Sequence, residues 1–452
     1  MYLSSNKLVA DRALFHKSAL NLRVVSTLVF QKSQRTTTSN LDYNMSKTLF
    51  DSLGISSCPD NTYLNAGAPG PSSLSRCSNL MLEATKRRLN CSNDSYIMQY
   101  GPELGTHEYL KNLGQFLSEQ YDSNVDLDSL ICTAGASNGL HMTMTILYSK
   151  YSPVVFVEEL SYHLAFSVLQ DYSKKSLIPV PLREDGADLQ VLESLLLQNQ
   201  PAKKHPDGYP WAVFYCIPTF HNPTGLTYSS DVSRKLVALL RQYNVLAICD
   251  DVYNTLCYGD CGNPSRLFAF DNKNDPSYSG HVISNGSFSK ILTPGLRLGW
   301  IEAPEWFRQL WKAHGILISG GCVNNYTSAI VASAIEAGLV SEFINDHRVM
   351  YKQRMVAVTA AIKQFPKETK FSVPQGGYFA WIELPSYMDA KKILEVARDK
   401  HSVFAFSGER FSASKEKTFS NCFRVAISYY DQRQIVAGIE KIRSVVTELY
   451  GE

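Results

Sequence analysis

The chain has 452 residues, with 44% hydrophobic and 19% charged side chains and a formal net charge of +2. That composition belongs to a globular protein long enough for one large domain and a smaller one. The near balance of charge offers no broad field to nucleic acid or to an anionic membrane, and no apolar run reaches the ~20 residues of a membrane-spanning helix.

Residues 1–45 differ from the rest. Lys7, Arg12, Lys17, Arg23, Lys32 and Arg35 are basic, Asp11 is the only acid before Asp42, and Ser and Thr are plentiful. This is the composition of a mitochondrial targeting leader; translation from Met45 would instead give a cytoplasmic protein. The apolar piece Val24–Phe30 is too short, and lies behind too long a charged prefix, for a secretory signal.

Residues 46–85 read as an N-terminal arm, 86–340 as a large domain and 341–452 as a small C-terminal one. In the large domain, apolar runs of strand length occur at Leu130–Thr133, Val154–Glu158, Ala212–Ile217, Leu246–Cys249 and His281–Ser284. Helical periodicity falls between them, at Leu140–Lys150, Leu189–Gln198 and Ser230–Tyr243. Continuous apolar strands alternating with helices predict an α/β fold, a mostly parallel sheet covered on both faces. One long helical pattern, Thr327–Phe365, leads into a smaller α+β domain with strands predicted at Gly377–Leu384, Val403–Phe406 and Cys422–Ser428. The ten cysteines are scattered, and Cys132, Cys216 and Cys249 fall in or beside strand-like runs as small apolar residues. Cys257 and Cys261 are close but lack the second pair or nearby histidine of a zinc site. The pattern predicts reduced thiols, no metal and no disulfides.

Five segments carry chemistry. In Ile131–Tyr151 a strand runs through Gly135-Ala136-Ser137-Asn138-Gly139 into a helix, a geometry whose backbone N–H groups can seat a phosphate. It is neither GxGxxG nor a Walker loop. The second segment, Ile217–Gly225, ends a buried-type strand with Asn222-Pro223-Thr224-Gly225, so the Asn222 amide is a candidate hydrogen-bond donor. The third, Leu246–Tyr253, is an apolar strand ending in Asp250 and Asp251, where parallel sheets bind ligands; either carboxylate could point inward. The fourth, Ser284–Trp300, sets Lys290 behind Ser287 and Ser289 and ahead of Arg297. A lysine with small neighbours can form a Schiff base with a flat ring, and hydroxyls with a guanidinium can hold that ring's phosphate. The fifth, Phe423–Tyr430, buries Arg424 in an apolar strand, where its fork requires an anion.

Taken in order, Asn-Pro-Thr-Gly, Asp-x-x-Tyr, Ser-x-Ser-Lys with Arg seven residues on, and a late Phe-Arg make the chain resemble fold-type I pyridoxal-phosphate aminotransferases of class I/II. The resemblance runs from about residue 55 to the C-terminus and is nearest the 2-aminoadipate and kynurenine aminotransferase branch. It implies pyridoxal 5'-phosphate as cofactor, with Lys290 bonding its aldehyde. Asp250 would pair with the pyridine nitrogen, Asn222 and Tyr253 would hold the ring hydroxyl, and Tyr162 would stack on the ring. Ser287, Ser289, Arg297 and the N–H groups of Ala136 and Ser137 would hold the phosphate. Arg424 would clamp the substrate α-carboxylate, Gly67 would give a backbone contact near the substrate, and Tyr100 would reach a neighbouring site across a homodimer. The implied reaction is transfer of an amino group from an L-amino acid to a 2-oxo acid, 2-oxoglutarate above all; a β-lyase or decarboxylase of the same fold, or more remotely a non-catalytic regulator, are the alternatives. The phosphate loop departs from such proteins, reading Ala136-Ser137-Asn138 where they commonly carry Ser-Gln-Gln, and so does Asn61–Ser75.

Overall fold

The computed structural model describes residues 60–90, 95–173, 176–260, 262–414 and 418–451. The leader, Met45 and Cys261 lie outside them. From Pro59 onward the chain forms one compact unit.

Seven strands among the described residues make the central sheet: β1 (Leu130–Thr133), β2 (Val154–Glu158), β3 (Ile178–Val180), β4 (Ala212–Cys216), β5 (Val245–Asp250), β6 (Val282–Ser287) and β7 (Gly299–Glu302). Their spatial order is β1-β7-β6-β5-β4-β2-β3. All pairings from β6 to β3 are parallel, and β7 runs antiparallel to both β6 and β1. Period-2 alternation divides each strand between two apolar faces. Val155, Val213, Tyr215, Leu246, Ile248 and Ile283 enter one core, with the helix Ala136–Tyr148. Phe156, Phe214, Cys216, Ala247, Cys249 and Val282 enter the other, under the helices Leu189–Asn199 and Ser230–Tyr243. This is the doubly covered parallel sheet that the apolar strand runs predict.

The five predicted strands and three predicted helices of the large domain are present within a few residues of their expected ends. Strands β3 and β7 are additions. The pattern at Thr327–Phe365 is two helices rather than one: Asn325–Glu336 and Leu339–Ile362 meet at 75°. Gly338, with φ of 75°, makes that corner, a conformation that suits glycine. The predicted strand Val403–Phe406 also divides. Val403–Phe404 pairs with Thr62–Tyr63, while Phe406–Ser407 joins Cys422–Ala426 and Phe379–Glu383 in an antiparallel sheet. Helices Pro71–Asn90 and Leu339–Ile362 run through positions 85/86 and 340/341, where the sequence places domain boundaries.

The end of β7 is fixed by a buried ion pair. Arg266 donates from Nε and a terminal nitrogen to both oxygens of Glu302, at 2.7 and 2.6 Å, and to Ser123 and the Asn124 carbonyl at 3.1 and 3.0 Å. The two side chains are 2% and 1% exposed, so losing one partner strands a charge away from water. Arg266→Ala is expected to cost about 3–5 kcal/mol of unfolding free energy, measured as a shift of the urea transition. A loss below about 1 kcal/mol would show that water reaches Glu302.

Candidate active site

Strand polarity gathers the predicted residues at one edge. β1, β4, β5 and β6 point their carboxyl ends there and deliver Gly135–Ser137, Asn222, Asp250 and Ser287–Lys290. Antiparallel β7 begins at that edge, so Arg297, two residues before it, arrives from the other direction.

At the carboxyl end of β1, the helix Ala136–Tyr148 forms its first internal bond from Gly139 N–H to the Gly135 carbonyl, which leaves the N–H groups of Ala136 and Ser137 facing off its N-terminus. Gly135 has φ of 91°, and a Cβ there would meet Arg297 at 3.2 Å, so glycine both makes the turn and admits the guanidinium. The Arg297 guanidinium also donates to the Ala134 carbonyl at 3.3 Å. Ser287 and Ser289 hydroxyls lie 2.9 Å apart. Ser137 is exposed, while the Asn138 carboxamide oxygen accepts from Ala134 N–H at 3.0 Å. Asn138 therefore fastens the loop from within, where the departure from Ser-Gln-Gln left its part open.

Asp250 and Asp251 take opposite faces of β5. Asp251 accepts from Ser284 Oγ at 2.5 Å and lies under the influence of Arg266. Asp250 accepts from Tyr215 Oη at 2.7 Å through Oδ2, while Oδ1 is buried with no protein partner. Burial raises the Asp250 carboxyl to about 6, with the Tyr215 bond opposing it. The orphaned oxygen and raised pKa fit a carboxylate meant to meet a cation, as a protonated pyridine would be.

Lys290 Nζ donates to the Gly67 carbonyl at 2.7 Å. Burial pulls its pKa from 10.5 to about 8; Asp250 opposes that shift and Arg424 adds to it. Both Lys290 and Asp250 keep a little accessible surface. Tyr378 supports the lysine by donating to its backbone carbonyl at 2.5 Å.

Arg424 is 3% exposed, and its Cζ lies 4.0 Å from the Phe379 ring centroid and 4.7 Å from that of Phe411. It donates to Asn222 Oδ1 at 2.7 Å and to the Asn65 carbonyl at 2.9 Å, while Nε is buried without a partner. Because arginine only donates, the Asn222 oxygen must face it, which turns the amide N–H2 away as the donor. Tyr253 is buried against Tyr378 and Phe379, at 5.4 and 5.7 Å between centroids. Tyr162 caps a helix start, and burial with Asp250 nearby lifts its phenol to about 12. Tyr100 stands outside this cluster, 80% exposed, and among the described residues its one hydrogen bond runs from its backbone N–H to Gln99 Oε1.

Sequence reasoning missed Tyr215, Asn65, Tyr378, Phe379 and Phe411. It also missed the buried carboxylate of Glu158, which receives Ile217 N–H and His221 Nε2 at 3.0 Å and Tyr228 Oη at 2.6 Å. The backbone N–H of Thr224 donates to His221 Nδ1 at 3.3 Å, so Nε2 carries the histidine proton and Glu158 anchors the loop that carries Asn222.

Fold and site together define a fold-type I, pyridoxal-phosphate-dependent transferase. Residues 62–442 match the family "Aminotransferase class I and II", and the chain belongs to it. It is 29% identical over 369 residues to aromatic-amino-acid aminotransferase 1 of Thermococcus litoralis, covering 81% of this chain and 84% of that protein. It is 28% identical over 348 residues to the 2-aminoadipate transaminase of Thermus thermophilus, covering 76% and 80%. The kynurenine aminotransferase of Pyrococcus horikoshii, solved in complex with PMP, superposes with a TM-score of 0.74 at 26% identity over 94% of this chain and 99% of that one.

The shifted lysine gives a direct test on cofactor-free protein. The neutral amine is the nucleophile, so borohydride-trapped aldehyde at Lys290 should rise with pH through a midpoint near 8 and level off about 1–2 units above it. Asp250 holds the lysine's pKa up, so Asp250→Asn should move that midpoint to lower pH. A midpoint near 10.5 in the parent protein, or no movement in the variant, would remove the electrostatic account.

Proposed function

We propose that this protein exchanges the amino group of an L-amino acid with a 2-oxo acid in ping-pong fashion, with 2-oxoglutarate as acceptor. One observation carries the reading: Lys290 and Arg424 both donate to the short segment Asn65–Gly67, to its two ends. A substrate whose α-carboxylate docks on Arg424 therefore has its α-carbon within reach of the lysine amine. Pyridoxal 5'-phosphate, when bound, supplies an aldehyde for the substrate amine and a ring that draws electron density from the α-carbon. The residues fitted to hold it are Asp250 at the ring nitrogen, Asn222 and Tyr253 at the ring hydroxyl, and Tyr162 across the ring face. Ser287, Ser289, Arg297 and the N–H groups of Ala136 and Ser137 fit its phosphate.

Lys290 then works as a base toward the substrate α-proton and, once protonated, as the acid that gives a proton back. Burial suits it to both roles, since a pKa near 8 lets the amine carry or release a proton close to neutral pH. Asp250 keeps a negative charge opposite the ring nitrogen and so favours a proton there. Arg424 orients the substrate by a bidentate grip, and its partners Asn222 and Asn65 fix the guanidinium plane.

The working unit in this reading is a homodimer in which Tyr100 reaches the neighbouring site. Tyr96, Met98 and Tyr100 support it as an exposed apolar group, at 80%, 67% and 80%. Residues 1–45 serve as a mitochondrial leader, supported by their basic, acid-poor composition.

Lys290→Ala should lower turnover by at least ~10³-fold, with both the new 2-oxo acid and the new amino acid disappearing together. Parent protein that yields ammonia or carbon dioxide in place of those two products, or a variant that keeps its activity, would overturn the assignment.

A further inference from the structure

Arg410 lies in the short helical turn Gly408–Phe411, which also supplies Phe411 to the packing around Arg424. Its guanidinium sits 4.2 Å from the Phe406 ring centroid, and the Arg424 guanidinium sits 5.6 Å from that same centroid. The two cations are thus no further apart than those distances combined. Among the described residues Arg410 meets no carboxylate; its one hydrogen bond runs from Nε to His163 Nε2 at 3.2 Å. An acceptor nitrogen carries no proton, so His163 is neutral there, and burial together with both arginines pushes it down to about 4. The ring adjoining Tyr162 in sequence therefore braces Arg410 by Nε, while the terminal nitrogens, the edge that grips carboxylates, have no partner among the described residues.

Two unneutralised guanidiniums over one phenylalanine repel each other, and Arg410 is among the groups lowering the pKa of Arg424. A surface arginine covering an aromatic ring would gain little from such a place, since an exposed cation–π contact is worth only about 0.5–1 kcal/mol. A molecule with a carboxylate at each end and an apolar middle relieves the repulsion and lays its methylenes along Phe406.

We propose that Arg410 is a specificity residue that receives the side-chain carboxylate of a dicarboxylic amino acid or 2-oxo acid while Arg424 holds the α-carboxylate. The assignment rests on the transamination reading and gives its acceptor a physical basis. It separates acidic substrates from aromatic ones through one residue of the small domain.

The test uses cofactor-loaded protein and its Arg410→Gln and Arg410→Lys variants. Glutarate and butyrate binding is measured by calorimetry, and the spectral half-reaction is followed with L-glutamate and L-phenylalanine. Parent protein should bind glutarate more tightly than butyrate. Arg410→Gln should weaken glutarate about 10- to 100-fold, the worth of hydrogen bonds to a charged group. It should lower the glutamate-to-phenylalanine efficiency ratio comparably, through KM rather than kcat, and Arg410→Lys should restore part of the loss. Equal binding of the two acids by the parent protein, or equal losses with both amino acids, would overturn the proposal. If no amino acid reacts but the glutarate preference and its loss stand, the transamination reading fails while the dicarboxylate site holds.

Discussion

A strand in a parallel sheet can offer ligand-binding groups to a given edge from one end only, and this constrains everything at the site. β1, β4, β5 and β6 release a helix start, an asparagine loop, a carboxylate and a lysine at their carboxyl ends. None of them can send an arginine back toward Gly135 after the chain has left the edge. β7 does so because it runs the other way, pairing Gly299 with Ser287 on one side and Thr133 on the other. The short turn between Lys290 and β7 therefore never leaves the site. Gly286 is part of the same constraint: the Trp300 ring covers it from β7, and a Cβ there would meet that ring at 2.1 Å. The reversed strand packs flat against its neighbour only because that position has no side chain.

Placement sets the electrostatics. Lys290 is subject to three influences of different sign: burial and Arg424 favour the neutral amine, and Asp250 favours the ammonium. Asp250 is in turn raised by burial and lowered by Tyr215 and Lys290. Both groups are thereby drawn toward neutral pH from opposite ends of the scale. Arg424 resists the same burial with three aromatic rings and two oxygen acceptors, yet keeps one buried nitrogen unpartnered. An arginine held at that cost has a use for an anion, and its acceptors are neutral groups that leave its charge intact.

How much of this could be read from the chain depends on how local each signal is. Ser287, Ser289, Lys290 and Arg297 share one loop, so their chemistry showed in eleven consecutive residues. Asn222 and Asp250 showed because one lies in the turn after an apolar strand and the other closes one. The choice between Asp250 and Asp251 came only from the family resemblance and not from the residues themselves, since alternation separates them while both faces of β5 are apolar and look alike. Tyr215 was hidden for a related reason: its hydroxyl meets Asp250 across a parallel pairing whose register no single segment records. The rings around Arg424 come from Phe379 and Phe406, brought together by antiparallel pairing in the small sheet, and from Phe411 in the turn beside it. The helix corner at Gly338 was missed because apolar periodicity continues on both sides of it, and one glycine is a weak stop signal.

The division between the two sheets also bears on how the site is used. Lys290, Asp250, Ser287, Ser289 and the helix start at Ala136 belong to the edge of the seven-stranded sheet. Arg424, its rings and Arg410 belong to the small sheet and the turn beside it. Asn222 and Asn65 join the two sets by their bonds to Arg424. In the proposed reading, substitutions around Phe406 and Arg410 would alter which side chain is accepted without touching Lys290 or Asp250. Arg424 sits at the junction and cannot change so freely: a shift of it would be felt at Asn222, and through Glu158 and His221 in the loop that holds Asn222. In that reading selectivity is free to vary because it rests on a turn, and the chemistry is fixed because it rests on strand ends.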